Sequence, residues 1–315
     1  MSGYEKSKVK VSIGMPVYNG ASYIRRALDS LLAQSFGDFE LIISDNASTD
    51  DTQTICEKYE RADSRVRYIQ QERNLGPIRN FDFVLNQSEG EYFMWAAHDD
   101  LWEPRFLEVL IREFQKLPEG VVAIGCEAQY MVGMEKKPFF AEGKAFYRPL
   151  FELEIDRVSH MLKHAYGNLF YSLYRRQALF LNGVSILSAT ARVSLNELPL
   201  FIPVAFQGNW KILSEVLFYK ETTMPTYSQA RWEMEGGLLP CCSIRHFISG
   251  VFYGLKYHIL TAVDISRSIG TLPLSGPSQK RLQVRSLFIL LGHFILCMIH
   301  YKRQPVSNHI GLNNE

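Results

Sequence analysis

The chain has 315 residues, 47% of them hydrophobic and 21% charged, with a formal net charge of +1. That composition excludes a disordered polymer, and the near-neutral charge gives no argument for nucleic acid or another polyanion as a partner. At roughly 100 to 200 residues per domain, the length allows one large domain or one domain with an appendage.

The first ten residues, Met1 to Lys10, are charged and lack the apolar segment of a secretory signal, so a cytoplasmic location is expected. The stretch KVSIGMPV, Lys10 to Val17, alternates apolar residues and ends at Pro16 and the turn-forming pair Asn19-Gly20, which predicts a strand entering a loop. Tyr23, Ile24, Ala27, Leu28, Leu31 and Leu32 recur at helical spacing and predict an amphipathic helix over Ser22 to Gln34. A second strand is expected at Glu40 to Asn46, a helix from about Thr49 to Tyr59, and a third strand at Val66 to Gln71. Pro77 suits the first turn of a helix reaching Asn86, with Ile78, Phe81, Val84 and Leu85 on one face. Tyr92 to Ala97 reads as a fourth strand running into His98-Asp99-Asp100. Leu101 to Lys116 is expected to be helical after Pro104, and Val121 to Ala128 to be another strand.

This alternation of strands and helices predicts an α/β fold with a mostly parallel sheet covered on both faces. Ligands of such sheets bind beyond the carboxyl ends of the strands. Those ends carry Tyr18 and Asn19, Asp45 and Asn46, Arg73 and Asn74, and Asp99 and Asp100. Neither G-x-G-x-x-G nor G-x-x-x-x-G-K-[ST] is present, so phosphate must be held another way, for which a metal on clustered aspartates is the obvious means.

The segment PVYNGASYIRRALDSLLAQSFGDFELIISDNASTDDT, Pro16 to Thr52, closely resembles the opening of family 2 glycosyltransferases, inverting enzymes of GT-A fold. RNLGPIRN at Arg73 to Asn80 and AAHDDLWEP at Ala96 to Pro104 continue the resemblance in the family's order. It implies a GT-A-like, Rossmann-type sheet flanked by helices, with a helical carboxyl-terminal appendage. The transferase domain is expected over 8–235, its nucleotide-binding half over 8–128 and its acceptor half over 129–235. A helical region is expected over 236–303 and a disordered tail over 304–315.

By the same resemblance, Pro16, Val17, Tyr18 and Asn19 line the nucleotide base and Asp45 hydrogen-bonds it, most often as uracil. A helix N-cap is the competing role for Asp45, although Asn46, Ser48 and Asp50 also offer capping groups. Arg79 matches a basic residue on the nucleotide side, with a solvated helix face as its alternative. Asp99 and Asp100 match the D-x-D type element that holds Mg²⁺ or Mn²⁺ against the diphosphate. A hard cation needs only one or two protein carboxylates when phosphate and water complete its shell. Ala97 stands where the commoner D-x-D-D form has an aspartate, leaving open which of Asp99 and Asp100 is the main ligand. His98 either touches the ribose or diphosphate or is a structural strand-end residue.

GNLFYSLYRRQAL, Gly167 to Leu179, is similar to the family's acceptor-side segment. Gly167 and Asn168 are expected against the sugar, while Arg175 and Arg176 either contact the acceptor or support the fold. An inverting transfer needs a carboxylate base. The family's spacing before a glycine and strand leads back from Gly208 to Glu197, with a first-turn helix acid as its alternative and Glu127 or Asp156 as other candidates. Gln229-Ala230-Arg231-Trp232 is similar to the Q-x-x-R-W element of processive synthases but one residue short, so addition of a single sugar is expected.

Beyond Glu235, helices are expected over Ile244 to Ser266 and Gln279 to His300, with Gly270 to Pro277 linking them. The apolar run Leu287 to Ile299 falls short of the roughly 20 residues of a membrane span. Flanked by Lys280, Arg281, Arg285, Lys302 and Arg303, it reads either as a helix lying on an anionic membrane surface or as a core helix with basic ends. The five cysteines form no C-x-x-C pair and are expected to be reduced.

The expected function is metal-dependent transfer of one sugar from a nucleoside diphosphate, most readily uridine, to a saccharide or lipid-linked acceptor in cell-surface glycan synthesis. Two other classes remain: a catalytically silent nucleotide-binding or scaffold protein, suggested by Ala97, and a nucleotidyltransferase. The last is disfavoured because Pro16-Val17-Tyr18-Asn19-Gly20 is not the Gly-rich basic loop that it would want.

Overall fold

Alternation in the first strand sends Val11, Ile13, Met15 and Val17 into one hydrophobic cluster, while Gly14 on the other side leaves room for Val84 and Phe93. The computed structural model describes residues 9–132, 135–137, 153–164, 167–189, 198–221 and 262–288. The first half contains β1 (Val11–Val17), α1 (Ile24–Leu32), β2 (Phe39–Asp45), α2 (Thr52–Ala62), β3 (Val66–Gln70), α3 (Pro77–Asn86), β4 (Tyr92–Trp95), β5 (Leu101–Trp102), α4 (Phe106–Phe114) and β6 (Val121–Val132). There follow β7 (Glu135–Lys137), α5 (Glu154–His164), a 3-10 turn (Gly167–Tyr171), β8 (Leu173–Arg175), the hairpin strands β9 (Phe180–Leu181) and β10 (Val184–Ser185), α6 (Ile186–Ala189), α7 (Leu198–Gln207) and β11 (Asn209–Glu221). Two helices, α8 (262–270) and α9 (276–288), complete the described chain.

The main sheet runs β3-β2-β1-β4-β8-β6-β11-β5, with β7 beside β6. β3, β2, β1 and β4 are parallel, as are β6 and β11, whereas β8 is antiparallel to both β4 and β6. Because β8 reverses direction between them, β6 and β11 point the same way as β1 and β4. All these parallel strands therefore deliver their carboxyl ends to one edge.

Two clusters sandwich the sheet. One joins Ile13, Met15, Leu41 and Met94 to Leu28 and Leu31 of α1, Ile55 of α2 and Leu110 of α4. The other joins Ile42, Phe93 and Trp95 to Val84 of α3, Val158 of α5, Ile202 of α7, Ile265 of α8 and Leu282 of α9. Burying each such large side chain contributes about 1.5–3 kcal/mol. The expected helix-covered, mostly parallel sheet and the helices near the carboxyl terminus are thus present.

Several boundaries move for identifiable reasons. The second helix starts at Thr52 rather than near Thr49 because Thr49 donates its N–H to Asn19 Oδ1 at 2.8 Å, tying it to the first loop. Leu101 and Trp102 are an antiparallel strand against Tyr219 and Phe218 before the fourth helix begins. The sixth strand continues to Val132 because β11 pairs with it through Glu221 and Met131. The expected linker Gly270 to Pro277 is shorter in the structure, since α9 already begins at residue 276.

Candidate functional site

The loops that follow β1 and β2 are laced together. Asn19 adopts a left-handed φ of 52°, donates its N–H to Ser48 Oγ at 2.9 Å and accepts the Thr49 N–H. Gly20 donates its N–H to Thr52 Oγ1 at 2.8 Å, and Ala21 donates to Asp50 Oδ2 at 3.0 Å. Burial works to raise the Asp50 pKa, but donors from Thr52 and Ala21 outweigh it and hold the carboxyl below its ordinary value. Asp50 Oδ1 also accepts the Thr52 N–H, so Asp50, not Asp45, satisfies a free donor at the start of α2.

Asp45 ends β2 with no exposed surface. Its Oδ1 accepts the Ser48 N–H at 2.8 Å and its Oδ2 the Tyr68 hydroxyl at 2.7 Å. Burial and this bond push the Tyr68 phenol well above its ordinary value. Next to it, Asn46 accepts the Leu75 N–H at 2.7 Å and donates to Asn74 Oδ1 at 3.0 Å, which fixes the loop before α3. Gly76 takes φ 81° in that loop, where a side chain would be strained. Pro16 and Val17 are buried beneath these loops, whereas Tyr18 is 46% exposed.

Sequence reasoning gave no site role to Asn80, yet it fastens this floor. Its amide accepts the Ser44 hydroxyl at 2.6 Å and donates to the Ser44 carbonyl at 2.9 Å. A buried asparagine on the inner face of an otherwise apolar helix was the available signal, because such an amide requires partners. Its neighbour Arg79 is exposed on α3.

The β4 end closes the other side. A side chain on Gly20 would meet His98 Cδ2 at 2.7 Å and Val17 Cγ2 at 2.6 Å, so the imidazole lies against the first loop. Asp99 is half-buried, whereas Asp100 is only 1% exposed. Asp100 Oδ1 accepts the Glu221 N–H at 2.9 Å, while its buried Oδ2 has no partner among the described residues. Burial pushes this carboxyl up to about 7, Lys220 drawing it down and Asp99 adding to the rise. Glu221 in turn pairs with Arg26 at 2.8 Å, which pins the end of β11 to α1.

Among the described residues no group of three or more His, Cys, Asp or Glu forms a self-sufficient metal cage. The pair Asp99 and Asp100, with one buried carboxylate oxygen unpartnered, fits a hard divalent cation that takes its remaining oxygens from phosphate and water.

Other expected site residues part company. The 3-10 turn that begins at Gly167 and Asn168 lies toward this edge, with Phe170 stacked on Trp95 at 4.6 Å and Tyr171 beneath Lys220 at 5.1 Å. Arg175 and Arg176 lie at the opposite edge. Arg175 is opposite Tyr92 at the start of β4, donates to the Val121 carbonyl at 3.0 Å and covers the Phe114 ring at 4.8 Å. Arg176 donates to Ser88 Oγ at 2.8 Å. Of the two roles expected for these arginines, their contacts are those of support for the sheet, since antiparallel β8 carries both to the edge opposite the parallel strands' carboxyl ends.

Glu197 lies outside the described residues, immediately before α7. Gln229 to Trp232 also lie outside them. Of the other candidate bases, Glu127 is half-buried on β6 and Asp156 is exposed in the first turn of α5. Cys56 and Cys126 are free thiols, and burial pushes each up to about 12, which makes them poor nucleophiles.

Comparison with known proteins gives this edge a context. The family model described as Glycosyl transferase family 2 matches residues 12–180. An uncharacterised glycosyltransferase of Rickettsia typhi is 32% identical over 172 residues, covering 54% of this chain and 53% of the relative. The chain thus spans about half of that relative's length. The putative teichuronic acid biosynthesis glycosyltransferase TuaG of Bacillus subtilis is 36% identical over 101 residues, covering 32% of this chain and 40% of TuaG. Among solved structures, S. aureus TarS 1-349 in complex with UDP superimposes with a TM-score of 0.55 at 15% identity, covering 94% of this chain and 93% of that one. The mannosyltransferase PcManGT of Pyrobaculum calidifontis, in complex with GDP-Man and Mn²⁺, has a TM-score of 0.52 at 15% identity, covering 95% of this chain and 89% of that one. These two likenesses establish the fold alone.

Proposed function

The chain belongs to glycosyl transferase family 2, and from that premise we propose that it moves a single sugar, with inversion, from a uridine diphosphate sugar to a saccharide or lipid-linked acceptor of a cell-surface glycan. The observation that carries this reading is the convergence of the β1, β2 and β4 ends on one floor, with Asp45 buried beneath it and Asp99 at its rim. Uridine is favoured because TarS is described with UDP and with UDP-GlcNAc. TuaG supports a cell-surface polymer as the acceptor class.

In this reading the base lies over Tyr18 and Asn19, with Pro16 and Val17 packed beneath them, and Asp45, held by Tyr68 and Ser48, accepts an N–H of the base once the turn at Ser48 uncovers it. Arg79 stands on the helix that follows the Asn74 loop, where an exposed guanidinium can reach phosphate or base oxygens. Asp99 and Asp100 would hold Mg²⁺ or Mn²⁺, which when bound offsets the negative charge gathering on the departing diphosphate. Glu197 takes the proton of the acceptor hydroxyl. That oxygen bonds to the anomeric carbon on the face opposite the diphosphate, whose bond breaks with the electron pair leaving on the nucleotide.

The test is titration of UDP and GDP onto the full chain with Mn²⁺ or with chelator, followed by turnover on a panel of nucleotide sugars. UDP is expected to bind better than GDP, and Asp45→Ala to weaken it about ten- to hundredfold, the loss of a hydrogen bond to a charged group. Asp99→Asn should remove the response to Mn²⁺. Undiminished UDP affinity in Asp45→Ala, or full metal-independent turnover in Asp99→Asn, overturns the assignment.

A further inference from the structure

Helix α9 has two unlike faces. Leu282 and Ser286 are 1% and 3% exposed, and Gln279 and Gln283 donate to the Leu272 and Ser266 carbonyls at 2.8 and 3.1 Å, fastening one face to α8 and its turn. The other face carries Lys280, Arg281, Val284, Arg285, Leu287 and Phe288, all exposed. Helical spacing gathers these six on one side. Phe288 is 68% exposed, more than any other large hydrophobic residue among those described, with Leu287 at 57% and Val284 at 54%. Contiguous exposed apolar groups of this kind, rimmed by polar residues, mark an interaction surface.

The cations narrow the choice. Lys280, Arg281 and Arg285 form no ion pair among the described residues, and the sequence 276–288, GPSQKRLQVRSLF, contains no acid. With Val284 and Phe288 they line a shallow groove of about 610 Å³. A second copy of the chain docked here about a two-fold axis would bring like charges together. A sheet of anionic headgroups over an apolar interior complements both halves of the face at once. In sequence, Phe288 is followed by more of the apolar stretch ending at Ile299 and then by Lys302 and Arg303.

We propose that the exposed face of α9 docks on an anionic lipid bilayer. Lys280, Arg281 and Arg285 meet headgroup phosphates, and Val284, Leu287 and Phe288 enter the boundary with the acyl chains. No helix among the described residues is long and apolar enough to cross a membrane, and the proposed contact is one of lying on the surface. It relies on no assignment at the donor edge.

The experiment is co-sedimentation of the full chain with vesicles of phosphatidylcholine alone or containing phosphatidylglycerol, at rising salt. Binding is expected only with phosphatidylglycerol and should weaken with salt. The combined Lys280→Glu, Arg281→Glu and Arg285→Glu variant should lose at least about tenfold in affinity, three basic residues having been removed from the surface. Phe288→Ser should weaken binding while leaving its salt dependence. Both variants are checked for an unchanged thermal transition and UDP affinity; if the triple variant unfolds, Lys280→Gln and Arg285→Gln singly replace it. Absence of binding to phosphatidylglycerol, or equal binding by the charge variants, overturns the proposal. Release by millimolar inorganic phosphate would assign the groove to a free anion and overturn it. Conversion of a dimer to a monomer by Phe288→Ser would assign the face to self-association, with the same consequence.

Discussion

Ala47 follows Asp45 and Asn46 with φ 60°, a left-handed conformation that its Cβ disfavours. The turn holds because the Ala47 N–H bonds the Asp45 carbonyl at 2.8 Å while the side chains on either side are fixed by Ser48, Tyr68 and Asn74. A non-glycine residue there costs about 1–2 kcal/mol. Ala47→Gly should relieve it, against an unfolded-state entropy penalty of about 0.4–1 kcal/mol. A net gain of up to about 1 kcal/mol is expected in urea unfolding, and a loss of stability would show the turn to be unstrained.

Asp100 makes a separate claim at this scale. Its folded value of about 7 lies above the unfolded value of about 3.9. Folding of the metal-free protein therefore takes up a proton between these values. The stability associated with it is fully present below about pH 4 and lost as pH rises to about 7, because the unfolded chain binds fewer protons there. Asp100→Asn cannot titrate and should flatten the fall in stability over that window, read from denaturant midpoints in chelator. An unchanged slope would mean that some other group governs it.

At the scale of elements, the contact between β1 and α3 sets the site's floor. Gly14 is a packing requirement here: a Cβ would lie 2.7 Å from Val84 Cγ2 and 2.8 Å from Phe93 Cζ. Gly14→Ala should cost about 1–3 kcal/mol, the usual range for overpacking. In a Val84→Ala background the cost should shrink only in part, since Cγ2 is removed while Phe93 Cζ at 2.8 Å and the residue-84 Cβ at 2.9 Å remain. Complete loss of the cost in that background would show that Val84 Cγ2 alone sets it. The same contact explains why Asn80 reaches Ser44: any tilt of α3 would withdraw the amide that joins it to β2.

The β11 end behaves similarly. Tyr219 donates its hydroxyl to Glu103, the Glu221 N–H holds Asp100, and the Glu221 carboxylate holds Arg26. Residues far apart in sequence thereby fix the turn after β4. Periodicity could not disclose β5, because a two-residue strand carries no period of its own and exists only through its partner.

At the scale of the molecule, the alternating apolar pattern made the first half of the fold legible. Strands buried on both faces, separated by amphipathic helices, admit few arrangements other than a covered parallel sheet. The strand-end rule then located Tyr18, Asn19, Asp45, Asp99 and Asp100 at one edge without any partner being known. These features are local, since each depends on the spacing of residues within one element or the turn that ends it. Tertiary structure alone decided the rest. Antiparallel β8 turned Arg175 and Arg176 to the far edge, and β11 took hold of Asp100. Strand direction, desolvation and hydrogen-bond choice are settled by neighbours distant in the chain, and no reading of spacing within one segment contains those neighbours.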